Sequence, residues 1–537
     1  MNKSFKAIAA AALIGALVMT GCGQNPAGAS SSAAGSSGAG AGSSAASGSS
    51  AAAGNDNVIL QPIIVTNGDS LKENGSGKYL LITDYDTIKL DDTSAAKYPE
   101  LSAGLKAFSD KVLSAQKKVL EDGKKDINPK EIDEGHYYSD KTAITIVRCD
   151  DILSFISAND TFYGGPHPNH ACKGTTFDVK TGKELALSDV IKSEKDILPL
   201  IEKALKTDYP DVAFDGKLDE SLSKFFADEK NRSNWCITPD TIRFIFNPYD
   251  LAPYAFGEQV VDITFAENPQ LFTDKVKASS GAFVTTVGEL KRWPVDINRD
   301  GKIVPVSVSV ISENKDDPVN IGVAVDCGDK SFSLKDLYFY GYKSKLVHTA
   351  DKKNYLYFNT KSENDYQEIR VFELGTDDVK YVGCIEGSES AVYTKTVDYE
   401  SANGDNTYVI EETPFVNPEG FYLDNRVDAL STYIIKRLYS TGADGLPSTK
   451  EAFGEATYKH TLILKQDYTA KGVDINTNEL KGDVSLKKGD KLEIYKTNGK
   501  DTVIFKKGDT LVGIKYDGMN VDGKPAEELF EQLFYAG

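Results

Sequence analysis

The chain is poor in the residues that most often announce chemistry. Its 537 residues hold five histidines, six cysteines, three methionines and two tryptophans. No two cysteines form a C-x-x-C pair, which removes the usual structural zinc sets and thioredoxin-type redox chemistry. There is no G-x-S-x-G, H-E-x-x-H or Walker A motif; Gly77-Lys78 runs into Tyr79 and lacks the upstream glycine. Positive charge is also short: 61 Lys and Arg stand against 80 Asp and Glu, for a net charge of −19 and a pI near 4.9. Nucleic acid needs a basic surface and is excluded as a partner. Cationic proteins are the electrostatically favoured ones. The many carboxylates leave a glycosidase-type acid pair open, because any acidic protein can supply one.

What is present begins at the N-terminus. MNKSFK carries two lysines, AIAAAALIGALVMT follows as an apolar run of signal-peptide length, and Met19-Thr20-Gly21-Cys22 closes it. This end resembles a bacterial lipobox, in which cleavage precedes the cysteine and its thiol takes a diacylglycerol. Residues 1–21 are thus expected to be a lipoprotein signal peptide and Cys22 the acylated residue. No later run is long enough to cross a bilayer. Residues 22–57 are mostly Ala, Gly and Ser beyond the cysteine. Such a segment forms no core and acts as a tether whose ends lie roughly 30 Å apart. The organisation implied is that of a Gram-positive-type lipoprotein, anchored at the extracytoplasmic face of the cell membrane.

Three folded stretches follow. Residues 58–275 mix helix and strand signals. KYLLITDYDTIKL, AITIVRC and ILSFISA have strand character, and Leu101, Leu105, Phe108, Val112 and Val119 recur at helical spacing. DILPLIEKAL and ESLSKFFADE are predicted helices. Strands and helices come in blocks, so an α+β module with an antiparallel sheet is expected. Residues 283–445 carry short strands between turn residues, an all-β pattern that fits a propeller or a sandwich. NRVDALSTYIIKRLY has a helix-like spacing within it. Residues 446–537 predict a small SH3-like barrel ending in a short helix at GKPAEELFEQLFYAG. Cys149 and Cys172 flank one meander and are a candidate disulfide, with buried free thiols as the alternative.

The motif FYGGPHPNHAC, residues 162–172, raises the question of chemistry. His167 and His170 are three apart, but Pro166 and Pro168 exclude a helix that would align them. A metal loop would need a third ligand, such as Asp160 or Asp178. The structural reading is a shape-defining turn, in which Gly164 and Gly165 allow positive φ. Tyr163-Gly164-Gly165-x-His167, followed by FDVKTGKELALSDV and later by WCITPD…FIFNPYDLAPYAFG…ITF, is similar to the extracytoplasmic module of RsiV-type anti-sigma factors, which sense lysozyme. The same module occurs in the non-catalytic N-terminal region of PdaC-type peptidoglycan deacetylases. The resemblance covers about residues 58–272 and implies a sensing or binding role. The chain has a lipobox where RsiV-type proteins have a spanning helix, and it has no equivalent of the deacetylase Asp and His-x-x-x-His zinc ligands.

Ligand-contact candidates are Tyr163 and His167 in the loop, and Tyr249, Tyr254 and Phe256 in NPYDLAPYAFG, where exposed aromatics suit protein or glycan recognition. Asp296-x-Asn298-x-Asp300-Gly301 matches the first half of an EF-hand loop, but its twelfth position is Ser307 instead of Glu. VDINRDGKIVPVSVSV resembles the D-x-N-x-D-G-then-strand unit of calcium-binding FG-GAP-like blades and implies a structural calcium at Asp296, Asn298 and Asp300. A plain Asx-turn is the alternative. No other cofactor is expected. The expected function is non-catalytic binding of a lysozyme-like protein or peptidoglycan. The rivals are a cell-wall hydrolase or deacetylase and a structural subunit of a surface assembly.

Overall fold

A computed structural model describes residues 59–214, 217–288, 292–313, 319–363, 366–396 and 407–536. The expected leader, Cys22 and the expected tether lie outside the described residues. The first sheet contains β1 (Pro62–Lys72), β2 (Tyr79–Leu90), β3 (Tyr138–Cys149), β4 (Ile152–Phe162) and β5 (Asn169–Asp178). β1–β2, β3–β4 and β4–β5 are antiparallel as expected. β2 and β3 run parallel, because the helix Pro99–Asp126 fills the connection between them, as a parallel crossover requires. That helix carries Pro99 in its first turn, and Ile127 N–H returns to Gly123 C=O at its end. It buries Leu101, Leu105, Val112 and Val119, and Phe108 packs edge-on against Phe155 at 5.2 Å.

A second layer holds the helices Glu194–Asp208 and Leu218–Ala227 over the antiparallel strands β6 (Trp235–Ile237), β7 (Thr241–Phe246) and β8 (Gln259–Thr264). Ile197, Ile201, Leu205, Leu222 and Phe225 meet Trp235, Phe244 and Phe246 in one core. The β4–β5 and β6 backbones approach so closely that a Cβ on Gly174 would lie 2.1 Å from the Trp235 carbonyl oxygen. Ile237 N–H also donates to Ser154 Oγ at 2.9 Å.

Beyond Ser280 the described residues are almost entirely β. β9 (Phe283–Thr286) is followed by a four-stranded sheet of β10 (Trp293–Val295), β11 (Val304–Ile311), β12 (Asn320–Cys327) and β13 (Lys330–Phe339). β14 (Gly341–His348), β15 (Asn354–Lys361), β16 (Gln367–Leu374) and β17 (Val379–Glu386) join β9 in a five-stranded sheet. Val306, Val323 and Val325 of one sheet share a core with Leu346, Phe358 and Phe372 of the other, which is the sandwich arrangement. Next, β18 (Ser388–Thr396) and β19 (Tyr408–Thr413) return to the first sheet. β19 pairs antiparallel with β1 over Ile64–Gly68, giving the order β18–β19–β1–β2–β3–β4–β5. The regions on either side of residues 275–283 therefore share a sheet.

Three expectations are corrected. The segment with helix-like spacing is a hairpin, β20 (Phe421–Asp428) and β21 (Thr432–Thr441). Its TYIIK run is β-branched and aromatic, and Leu430 turns the chain at φ 61°. The last strands pack around Leu462, Ile494, Phe505 and Val512, but the sheet is not closed into a barrel. The final helix is the single turn Ala526–Leu529. Cys149, Cys172, Cys236, Cys327 and Cys384 are all free thiols. Cys149 lies opposite Leu153, and Cys172 lies opposite Ala158. With β4 between them, the two cysteine strands are about 9–10 Å apart, beyond the reach of a disulfide.

Candidate ligand-binding site

The 162–172 loop is a turn closing β4 and β5, with Gly164 at φ 80° and Gly165 at φ 124°. Its base is fixed by a buried carboxylate. Asp140 accepts from Tyr85 Oη at 2.9 Å, Tyr163 Oη at 2.8 Å and Asn159 Nδ2 at 2.8 Å. Burial raises the Asp140 pKa, and the three hydrogen bonds oppose that rise. Both phenols are pushed up, first by their own burial and then by the adjacent carboxylate. Tyr163 thus holds the loop in place from beneath, and its ring packs edge-on against Tyr138 at 5.9 Å.

The two histidines diverge. His170 faces Asp160 directly across the ladder, with Nδ1 2.6 Å from Oδ1. His167 instead stacks on Tyr254, with ring centroids 4.0 Å apart and planes at 21°. Tyr254 Oη donates to Pro168 O at 2.7 Å, and Tyr249 lies 5.6 Å from Tyr254. The loop that carries these tyrosines is tied to β5 through Asn247, whose Nδ2 donates to Cys172 O at 3.1 Å. Asp250 caps the same turn by accepting Asn247 N–H at 2.7 Å. Tyr249, at φ 74°, is 65% exposed, and Phe256, in the turn Tyr254–Phe256, is 38% exposed. His167, Tyr254 and Tyr249 therefore form a continuous outward-facing aromatic row, with Phe256 on the same loop. Asp178 is spent on its own turn, accepting Thr181 N–H at 2.8 Å. Among the described residues no group of three or more His, Cys, Asp or Glu is arranged to hold a metal.

The Asp296–Gly301 segment is an Asx-turn. The Asp296 carboxylate accepts Asp300 N–H at 3.0 Å and Gly301 N–H at 2.8 Å, while Asn298 and Asp300 are exposed. Arg299 from the same turn pairs with buried Asp240 and lies over the Phe283 ring. The turn therefore anchors β10 to the second layer.

Residues 187–266 match a family model described as a protein of unknown function, DUF3298. This stretch is a DUF3298 domain. It contains the loop bearing Tyr249, Tyr254 and Phe256, while His167 reaches the aromatic row from outside it. No curated protein matches the chain. Solved structures of the DUF3298 family are similar to it. A Bacteroides fragilis member is 14% identical with a TM-score of 0.28, over 40% of this chain and 94% of that one. A Pseudomonas aeruginosa protein is 16% identical with a TM-score of 0.30, over 42% and 99%.

One cluster was not signalled by any motif. Lys343 and Lys345 of β14 face Glu412 of β19 and Glu389 of β18 across a cavity. Its trace in the sequence is the interruption of strand-like runs by charge, in GYKSKLVH and YVIEET.

Proposed function

We propose that the protein is a lipid-anchored extracytoplasmic lipoprotein that binds a cell-wall-related ligand without acting on it chemically. The row Tyr249–Tyr254–His167 carries this reading. Flat aromatic faces, prestacked and held by backbone hydrogen bonds, suit the sugar rings of peptidoglycan and lose little rotamer freedom on binding. The lipobox-like sequence supports a location of the row near the membrane surface, and the RsiV/PdaC-type order of sequence blocks favours the same class of ligand. The charge of −19 supports a second ligand, a lysozyme-like cationic protein, whose attraction would fall with salt.

A sedimentation assay with purified peptidoglycan, run beside a lysozyme pull-down across a salt series, tests the reading. The protein should sediment with peptidoglycan at both low and high salt. Tyr254→Ala should weaken that binding about ten-fold, the effect of removing one stacking anchor, with little change in melting temperature. Binding to lysozyme that fades with salt would favour the cationic-protein ligand. Release of soluble sugar from the wall, or binding to neither probe at low salt, would sink the proposal.

A further inference from the structure

Lys343 and Lys345 are two apart on β14, so both ammonium groups leave one face of the strand. On the facing ladder Glu412 stands opposite Ala391, and Glu389 lies two residues before Ala391. The two carboxylates thus occupy diagonal positions on one face. Ion pairs bridge the gap: Lys343 Nζ–Glu412 Oε1 at 2.8 Å and Lys345 Nζ–Glu389 Oε1 at 2.7 Å. Their settings differ. Lys345 is 9% accessible and also donates to Phe415 O at 2.9 Å, so this inner pair is largely buried at the cavity wall. Lys343 is 62% accessible, and it faces a cavity of about 270 Å³ with an apolar wall of Ile64, Ile144, Ile146 and Val310. The cavity continues past Lys343 and Glu412 into a second space of about 260 Å³. Asp86 stands beside the outer pair, accepting Thr66 Oγ1 at 2.6 Å and Ile144 N–H at 2.9 Å.

We propose that this cavity binds a small zwitterion of the α-amino-acid type, a free amino acid or dipeptide with both ends uncapped, by exchange with the Lys343–Glu412 pair. A simple anion could take Lys343, but it would strand Glu412 beside Glu389 and Asp86. Glu412 is only 28% accessible, so leaving its charge uncompensated beside two other carboxylates is unfavourable. A simple cation on Glu412 would be repelled by the Lys343 ammonium beside it. A zwitterion supplies both partners at once: its carboxylate meets Lys343 and its ammonium meets Glu412. A small aliphatic side chain then covers the apolar wall, and the inner Lys345–Glu389 pair keeps the two sheets in place. This site is separate from the aromatic row and does not depend on a glycan ligand.

Calorimetric titration of the full chain in detergent with alanyl-alanine tests the proposal, beside N-acetyl-alanyl-alanine and alanyl-alanine amide. The free dipeptide should bind with a Kd below about 1 mM, and each capped form should bind at least ten-fold more weakly. Glu412→Gln and Lys343→Met should each weaken the free dipeptide at least ten-fold while circular dichroism and melting stay those of the folded chain. Equal binding of capped and free forms would overturn the proposal, as would no heat from the free dipeptide with the folded wild type. If a variant fails to fold, the capped series on the unaltered chain decides.

Discussion

Several carboxyl groups sit where the fold favours their protonated form. Burial pushes Asp86, Asp250 and Asp424 up to about 6, and Glu258 up to about 7. Their unfolded values are those of ordinary carboxyls, near 4. Between those limits the folded chain holds more protons than the unfolded one, so stability from these groups falls as pH rises through the window. A rise of about two units corresponds to roughly 3 kcal/mol per group at most. Asp189 works the other way: Ala186 N–H and Lys183 hold it down to about 2, so its contribution is lost only on acidification below about pH 4. Self-repulsion of a chain at −19 adds to the loss at high pH. The melting temperature should therefore be higher at pH 5 than at pH 8, and Asp86→Asn should flatten part of that slope. A melting curve that rises from pH 5 to pH 8 would contradict the account. Such groups were invisible in the sequence. Asp86 is one of 80 acidic residues, and only the ladder that sets it against Thr66 and Ile144 distinguishes it. Tyr163 shows the converse. Its place in the glycine-rich motif suggested ligand contact, yet the fold turns its hydroxyl inward to Asp140.

Among elements, legibility tracked how local the deciding contacts are. The helix Pro99–Asp126 was legible because the apolar spacing of Leu101, Leu105, Phe108, Val112 and Val119 is a property of the segment alone. The 425–439 segment was not. Its apolar residues fit either period, and it is a strand pair because β20 finds β18, with Ser388 opposite Asp424. The parallel β2–β3 pair and the open C-terminal sheet depend likewise on long-range partners. The aromatic row was half legible: both loops were chosen from composition, but the stacking of His167 on Tyr254, 87 residues later, was not written in either. The contact of β5 with β6 is of the same kind. Gly174 looks like an ordinary strand glycine, yet Trp235 O and C would lie 2.1 and 2.3 Å from a Cβ there. Because those atoms are backbone, no side-chain movement can make room. Gly174→Ala should cost about 3 kcal/mol or more, at the upper end of overpacking effects, and chemical denaturation would show it as a lower midpoint. A neutral outcome would mean that the two layers can slide apart.

For the whole molecule, the decisive feature is that the chain does not divide where its composition changes. The shift near residue 280 separates a mixed region from an all-β one, but three kinds of contact cross it. Strand β19 adds to the edge of β1 over Ile64–Gly68. Thr285 and Thr286 hydroxyls donate to the Val147 and Ile146 carbonyls at 2.7 and 3.1 Å. Arg299 pairs with Asp240, and Gln61 Nε2 reaches Pro414 O at 3.2 Å. A chain cut at residue 275 would lose all of these together. It would expose the β1 edge as an unpaired row of N–H and C=O groups, a template for association. It would leave Asp240 without its guanidinium in a buried setting. The truncated piece should therefore aggregate, or melt without a cooperative transition, while the full chain melts as one unit. Size-exclusion chromatography and calorimetry of both would show this. A monomeric, cooperatively folding 1–275 fragment would instead mean that β19 is dispensable. The charge-lined cavity between β14 and β19 would then be a joint between two separable bodies, and ligand binding there would couple their separation to the ligand's concentration.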